Sequence, residues 1–207
     1  MERECGNMNR LEQQFQFILE IDKAKRIKRQ TYCSDGMTKE NDAEHGWHAA
    51  LMAILLSEYA NEQIDVLKTV TMLLIHDIVE IDAGDTYAYD EIGIATQAQR
   101  EQQAAQRIYS LLPEEQGNYL MSLWQEFEAE KTAEAKFAKV MDRVQPIMLN
   151  AATDGKAWQE HQVQLSKILK RNEKTAEGSD VLWEYALQNF VRPNVEKGII
   201  INDKKRN

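Results

Sequence analysis

The sequence predicts an all-α fold, a single-domain helical bundle, and three observations predict it. Only three prolines and nine glycines occur in 207 residues, while Ala, Glu, Gln, Lys and Leu are abundant, a composition that favours helices joined by short loops. Apolar residues recur three and four positions apart in several long segments. No stretch shows the strict alternation of a half-buried strand.

Asn9 to Gln30 carries Leu11, Phe15, Ile18, Leu19 and Ile21, the spacing of an amphipathic helix. Asp42 is placed to cap a second helix that runs to about Tyr59 through a strongly apolar middle. A third, from Asp65 to about Asp82, is apolar for most of its length and belongs deep in the bundle. The loop Asp82 to Asp90 follows, marked by Gly84 and clustered carboxylates, and loops of this kind often carry function. Further helices are expected from about Thr96 to Leu112, Glu114 to Glu130, Thr132 to Thr153, Ala157 to Glu173 and Ser179 to Gly198, with a frayed tail from Asp203 to Asn207. No Pro/Gly/Ser-rich stretch cuts the chain, so residues 1–207 are read as one domain, a core of about 11–150 followed by helices over about 157–198.

A formal charge of −9 argues against a nucleic-acid polymer as partner, because neutralising a run of phosphates needs a surplus of cations on one face. Lys23, Lys25, Arg26, Lys28 and Arg29 form a basic cluster that reads first as a solvated face. A small anion needs only one or two such cations. The longest apolar run, Ala49 to Leu56, falls short of the roughly 20 residues of a membrane helix, and Met-Glu-Arg-Glu-Cys at the N-terminus is not a signal peptide, so a cytoplasmic location without membrane contact is expected. Cys5 and Cys33 are expected to be free thiols.

Histidines and carboxylates fall where the chain is most apolar. His45 and His48 lie on the second predicted helix, and His76 is followed at once by Asp77 within Leu73-Leu-Ile-His-Asp-Ile-Val79. A bare carboxylate in such a stretch would cost several kcal/mol, so Asp77 needs a partner, and a divalent cation is the most economical one. Asp142 is flanked on one side by Ala138, Met141, Val144 and Met148 and can face inward. His48 and His161 read as hydrogen-bonded core histidines.

Three blocks in order, Glu40-Asn-Asp-Ala-Glu-His45-Gly-Trp-His48, then Ile75-His-Asp-Ile-Val-Glu80 with Ala83-Gly-Asp85, then Lys139-Val-Met-Asp142-Arg, resemble the HD-domain superfamily, and within it the small hydrolases related to bacterial 5'-deoxynucleotidases. The resemblance implies one metal held by His45, His76, Asp77 and Asp142, a phosphate ester as substrate, a nucleotide first among them, and a homodimer. The Trp and Met residues of the C-terminal helices would supply its apolar interface. It also implies a phosphate-binding arginine upstream of the first histidine. Arg29 matches that place by position, with Lys39 second, but Gln30 stands where the nucleotidases carry a tryptophan.

Two imidazoles and two carboxylates suit one divalent ion, whether Mn, Co, Ni, Fe, Zn or Mg, and leave room for water. Such an ion acidifies bound water and polarises a phosphoryl oxygen. Glu80, four residues after His76, shares its face on a continuous helix and suits a general acid or base. Asp85, past the turn glycine, is a second catalytic candidate. A ferritin-like di-metal centre needs Glu-x-x-His pairs, which are missing, and no histidine between Asp77 and Asp142 provides for a second ion. The rival reading is a non-catalytic helical module that binds metal or nucleotide, and spare carboxylates beside the site favour the enzyme.

Overall fold

A computed structural model describes residues 9–89 and 91–205. Cys5 and the last two residues of the expected frayed tail lie outside them. The described chain is a layered helical assembly with one small two-stranded sheet. Helix α1 (Arg10–Ile21) is capped by Asn9 in a reciprocal capping box with Glu12. It stops well short of the predicted end at Gln30. Asp22–Arg26 forms a 3₁₀ turn, and β1 (Lys28–Tyr32) then pairs antiparallel with β2 (Lys39–Asn41). The hairpin corrects the strand-free expectation; neither strand alternates in apolar and polar residues, so periodicity had nothing to read.

The predicted amphipathic stripe of α1 is also not core: Leu11, Phe15, Ile18 and Leu19 are exposed, and Phe17 is the buried residue. The basic cluster divides as charge dictates. Lys23 and Lys25 pair with Glu20 and Asp22 at the surface, whereas Arg29 turns inward.

Helix α2 (Asp42–Leu56) is capped by Asn41, not Asp42: the Asn41 side chain accepts from the Glu44 amide while Glu44 accepts from the Asn41 amide. That shift of one position places Asp42 inside the helix, buried. Helix α3 (Val66–Ile75) runs beside α2, and Gly46 allows it, since a Cβ there would sit 3.1 Å from the Leu73 carbonyl oxygen. The predicted continuous helix to Asp82 breaks at His76. Side chains satisfy the carbonyls of the last α3 turn: His76 Nδ1 bonds the Leu73 oxygen (2.8 Å) and the Tyr109 hydroxyl bonds that of Ile75 (3.1 Å). The chain tightens into a 3₁₀ turn, His76–Val79, and resumes as α4 (Glu80–Ala83), ending at Gly84 with φ +75°.

Beyond the 85–89 loop, α5 (Glu91–Tyr109), α6 (Glu114–Ala129) and α7 (Ala133–Ala152) complete the main layer. The two predicted C-terminal helices are fragmented. α8 (Lys156–Glu160) and α9 (Leu165–Arg171) are separated where Gln164 bridges Ile201 in parallel, and α10 (Thr175–Gly178), α11 (Asp180–Ala186), a π turn at Leu187–Val191 and α12 (Arg192–Glu196) follow. Asp203 is tied down, its carboxylate accepting from the Ser166 amide and hydroxyl.

A large core joins α2, α3, α5, α6 and α7, and a smaller one gathers Ile147, Trp158, Val163, Ile168, Val191 and Ile200; Trp183 and Phe190 pack on both. The C-terminal helices hold two tryptophans and no methionine, and both Trp158 and Trp183 pack internally, Trp158 being only 2% exposed. This corrects the interface expected from them. Exposed apolar residues stand instead on α1 and on α2, where Trp47, Leu51 and Leu55 form a stripe.

Candidate metal centre and its cavity

The close approach of α2 and α3 brings His45 and His76 together, ring centroids 5.4 Å apart, and α7 crosses both to deliver Asp142. All three are buried. His45 Nε2 lies 3.2 Å from Asp142 Oδ1 and 3.9 Å from Asp77 Oδ2, and His76 Nε2 lies 3.1 Å from Asp77 Oδ2 and 3.7 Å from Asp142 Oδ1. The four residues expected as ligands therefore converge. Helical burial of Asp142, left open by the sequence, is resolved inward.

The neighbours fix which nitrogen of each ring faces the centre. Gln145 Nε2 donates to Glu40 Oε1 at 2.6 Å, so its Oε1 is turned towards His45 Nδ1, 3.0 Å away. A carboxylate accepts only, and that settles the amide orientation. His45 Nδ1 must carry the proton, leaving a lone pair on Nε2. His76 Nδ1–H is spent likewise on the Leu73 carbonyl, and its buried Nε2 has no hydrogen-bond partner. Two lone pairs and two carboxylates aimed at one point fit a divalent cation, and the outer hydrogen bonds are those that orient metal-bound imidazoles. His45, His76 and Asp142 can each offer a ligand atom within 4.8 Å of the others.

Without a cation, protons answer the same demand. Burial disfavours a charged ring, but the Asp77 and Asp142 carboxylates outweigh it and hold His76 up to about 10. Asp142 is buried too, yet its bond to His45 and the nearby His76 imidazole hold it well below the usual carboxylate range. A second group, Asp42, Asp77 and Glu80, lies alongside with carboxylate oxygens within 4.8 Å. Here burial and like charge act together, pushing Asp42 up to about 7 and Glu80 well above the carboxylate norm. Burial also raises Asp85, against the pull of Arg29. The 3₁₀ turn did not remove Glu80 from the face of Asp77, although the continuous helix assumed for it is absent.

Arg29 donates to Asp77 Oδ2 at 2.6 Å and lies 3.5 Å from Asp42, its side chain 14% exposed. Lys39 does not reach the site. It bonds Gln30 Oε1 at 2.7 Å and sits over the Tyr32 ring, outside the cavity wall. Gln30 also contacts exposed His161 at 3.2 Å, so His161 is a surface residue stacked on Tyr87 (4.4 Å) and not a core histidine. His48 is half-buried, its Nδ1 3.1 Å from Gln145 Nε2. Cys33 is a free thiol.

His76, Asp77 and Asp142 border a cavity of about 370 Å³, walled also by Arg29, Glu80, Asp85, Tyr89 and Asn150 among others, a size suited to a small molecule. Sequence reasoning missed Gln145 and Asp42. Gln145 sits three residues after Asp142 and Asp42 three before His45, a helical spacing that marks both as same-face neighbours of ligands.

Comparison with known proteins agrees with this geometry. The HD domain family model matches residues 21–183, which contain every proposed ligand. The chain belongs to the HD domain family. A crystal structure from Magnetospirillum magnetotacticum MS-1, described as a predicted metal-dependent phosphohydrolase, superposes with a TM-score of 0.87 at 46% identity, covering 92% of this chain and 95% of that one. Human 5'-deoxynucleotidase HDDC2 is 30% identical over 134 residues, 64% of this chain and 64% of its own length. HDDC2 of Dictyostelium discoideum is 31% identical over 132 residues, 61% and 70% of the two chains. This HD protein thus spans about two thirds of the curated relatives it matches. Among its described residues no helix is long and apolar enough to cross a membrane.

Proposed function

We propose that this HD protein is a metal-dependent phosphomonoesterase acting on nucleoside 5'-monophosphates. The observation that carries the reading is the convergence of the two histidine Nε2 lone pairs with Asp77 and Asp142 at the floor of a cavity that also holds Glu80, Asp85 and Arg29. A divalent ion held by His45, His76, Asp77 and Asp142 supplies an acidified water and charge for a phosphoryl oxygen. Glu80 is the general acid or base: buried beside Asp77, its carboxyl retains a proton to a higher pH than an exposed glutamate and can exchange it with water or the leaving oxygen. Asp85 orients substrate or water from the opposite loop. Arg29 presents a forked cation for the phosphate; Lys39 is withdrawn from that role because it faces away. The related nucleotidases and the phosphohydrolase support the substrate class.

We also read the protein as cytoplasmic and homodimeric, the apolar stripes of α1 and α2 being the surface a second copy would cover. The decisive experiment is a phosphatase screen of metal-free protein reconstituted with each divalent metal in turn, against nucleoside monophosphates and simple phosphomonoesters. Release of phosphate from 5'-monophosphates is expected. Tight nucleotide binding with no turnover in any metal would replace the enzyme by a sensing module.

A further inference from the structure

We propose that Asn150 and Arg171, which both border the cavity, form a nucleobase subsite within it. The inference rests on the nucleotide reading above and adds to it which residues hold the base. Four cations border the cavity. Three are engaged by carboxylates: Arg29 with Asp77 at 2.6 Å, Lys139 with Glu128 at 3.0 Å and Arg143 with Glu130 at 2.6 Å. Arg171, at the C-terminal end of α9, has no ion pair or hydrogen bond to its side chain among the described residues, although its charge reaches Asp85 and Tyr89 across the cavity.

Asn150 is the complementary observation. Its Nδ2 donates to the Pro146 carbonyl at 2.8 Å, which fixes the amide orientation, and Oδ1 is then left buried and without a partner in a residue only 7% exposed. Buried acceptors are seldom left unpaired, and this one belongs to a residue that borders the cavity. Asp142, Pro146 and Asn150 follow one another at four-residue steps down one face of α7, so Asn150 stands about 12 Å along the axis from the metal ligand. That is the reach of a nucleoside 5'-phosphate from its phosphorus to the far edge of its base. Ile147, Trp158 and Tyr89 also line the cavity and give it apolar and aromatic surface. Each nucleobase offers both donors and acceptors on its edge. Asn150 Oδ1 accepts from a ring or exocyclic N–H, and the Arg171 guanidinium donates to a ring nitrogen or carbonyl oxygen.

The test compares 2'-deoxyadenosine 5'-monophosphate with a base-free probe, 2-deoxyribose 5-phosphate, in the metal-loaded wild type and in Arg171→Gln and Asn150→Leu. Arg171 is exposed at a helix end, so its variant keeps the fold even if Asn150→Leu does not. The ratio of kcat/KM for the nucleotide over the sugar phosphate is expected to fall about 10- to 100-fold, through KM, as one hydrogen bond to a charged group is lost. An unchanged ratio, or equal losses on both substrates, overturns the subsite. Calorimetric titration with 2'-deoxyadenosine separates this failure from that of the enzyme reading. If wild type cleaves neither substrate but binds the nucleoside, weakened binding in Arg171→Gln upholds the subsite and unchanged binding overturns it.

Discussion

Two carboxylate-bearing clusters lie side by side in this HD protein and are built on opposite electrostatic terms. In the first, His45 and His76 face Asp142 and Asp77, so opposite charges meet and burial is compensated. In the second, Asp42, Asp77 and Glu80 crowd together and burial adds to repulsion. Asp77 belongs to both. Arg29 at 2.6 Å from Asp77 is the cation that holds the acidic group together. The contrast teaches that the same residue type serves two purposes: carboxylates among imidazoles make a cation trap, and carboxylates among carboxylates make groups, here Asp42 and Glu80, that hold a proton to higher pH than an exposed acid.

The largest expected effect breaks the first cluster. His76→Ala removes a ligand and leaves the Asp77 and Asp142 charges uncompensated, so metal affinity should fall by more than the roughly 10–100-fold typical of losing an outer partner, and phosphatase activity should go with it. Elemental analysis of the purified variant checks this. Full metal occupancy in His76→Ala would show that His76 does not bind the ion.

A smaller effect comes from the second cluster alone. Glu80→Gln preserves shape, so metal content should persist while turnover falls about 10²–10⁴-fold. The metal-free variant should also be more stable than wild type above the ordinary glutamate range. Glu80 has a raised pKa in the folded state, so its ionisation costs stability that accumulates as pH climbs past about 4.3. Steady-state kinetics and thermal melts against pH measure the two effects. Loss of metal in Glu80→Gln would merge the two clusters into one.

The mildest test uses wild type and pH. Binding a divalent ion must displace the His76 proton, so metal affinity should rise by up to about tenfold per pH unit for each proton displaced, and keep rising towards pH 10. The same charged imidazole stabilises the metal-free fold. Its contribution is complete below the unfolded value near 6.5 and disappears as pH rises through the folded value of about 10. Isothermal titration at several pH values decides it; an affinity flat from about pH 6 to 9 would mean that His76 is already neutral.

Much of this site is legible in the amino-acid sequence. A His-Asp doublet inside an apolar run demands compensation whatever the fold, because the cost of burying charge is a property of the residues. The helical period allowed Asp142 to face inward and put Glu80 on the face of His76, although the latter assumed a continuous helix that the chain does not form. The misses share a different cause. The stripe of Leu11, Phe15, Ile18 and Leu19 has the period of a core helix, yet whether a partner covers it is settled by neighbours far along the chain. At the break before His76 the freed Ile75 carbonyl is met by the Tyr109 hydroxyl, 34 residues away. The pull of Gln145 on His45 crosses 100 residues.

Sequence by itself therefore determined the helical class and the need of Asp77 for a partner, consequences of local periodicity and of the solvation cost of charge, while the expected ligand set came from the resemblance of its three blocks to the HD superfamily. Tertiary structure decided which ring nitrogen faces the centre, that Arg29 and not Lys39 stands at the cavity, and that Asn150 and Arg171 both border it. Those depend on directions and distances between elements that no local period encodes, because packing fixes them only when α2, α3, α7 and α9 are brought together.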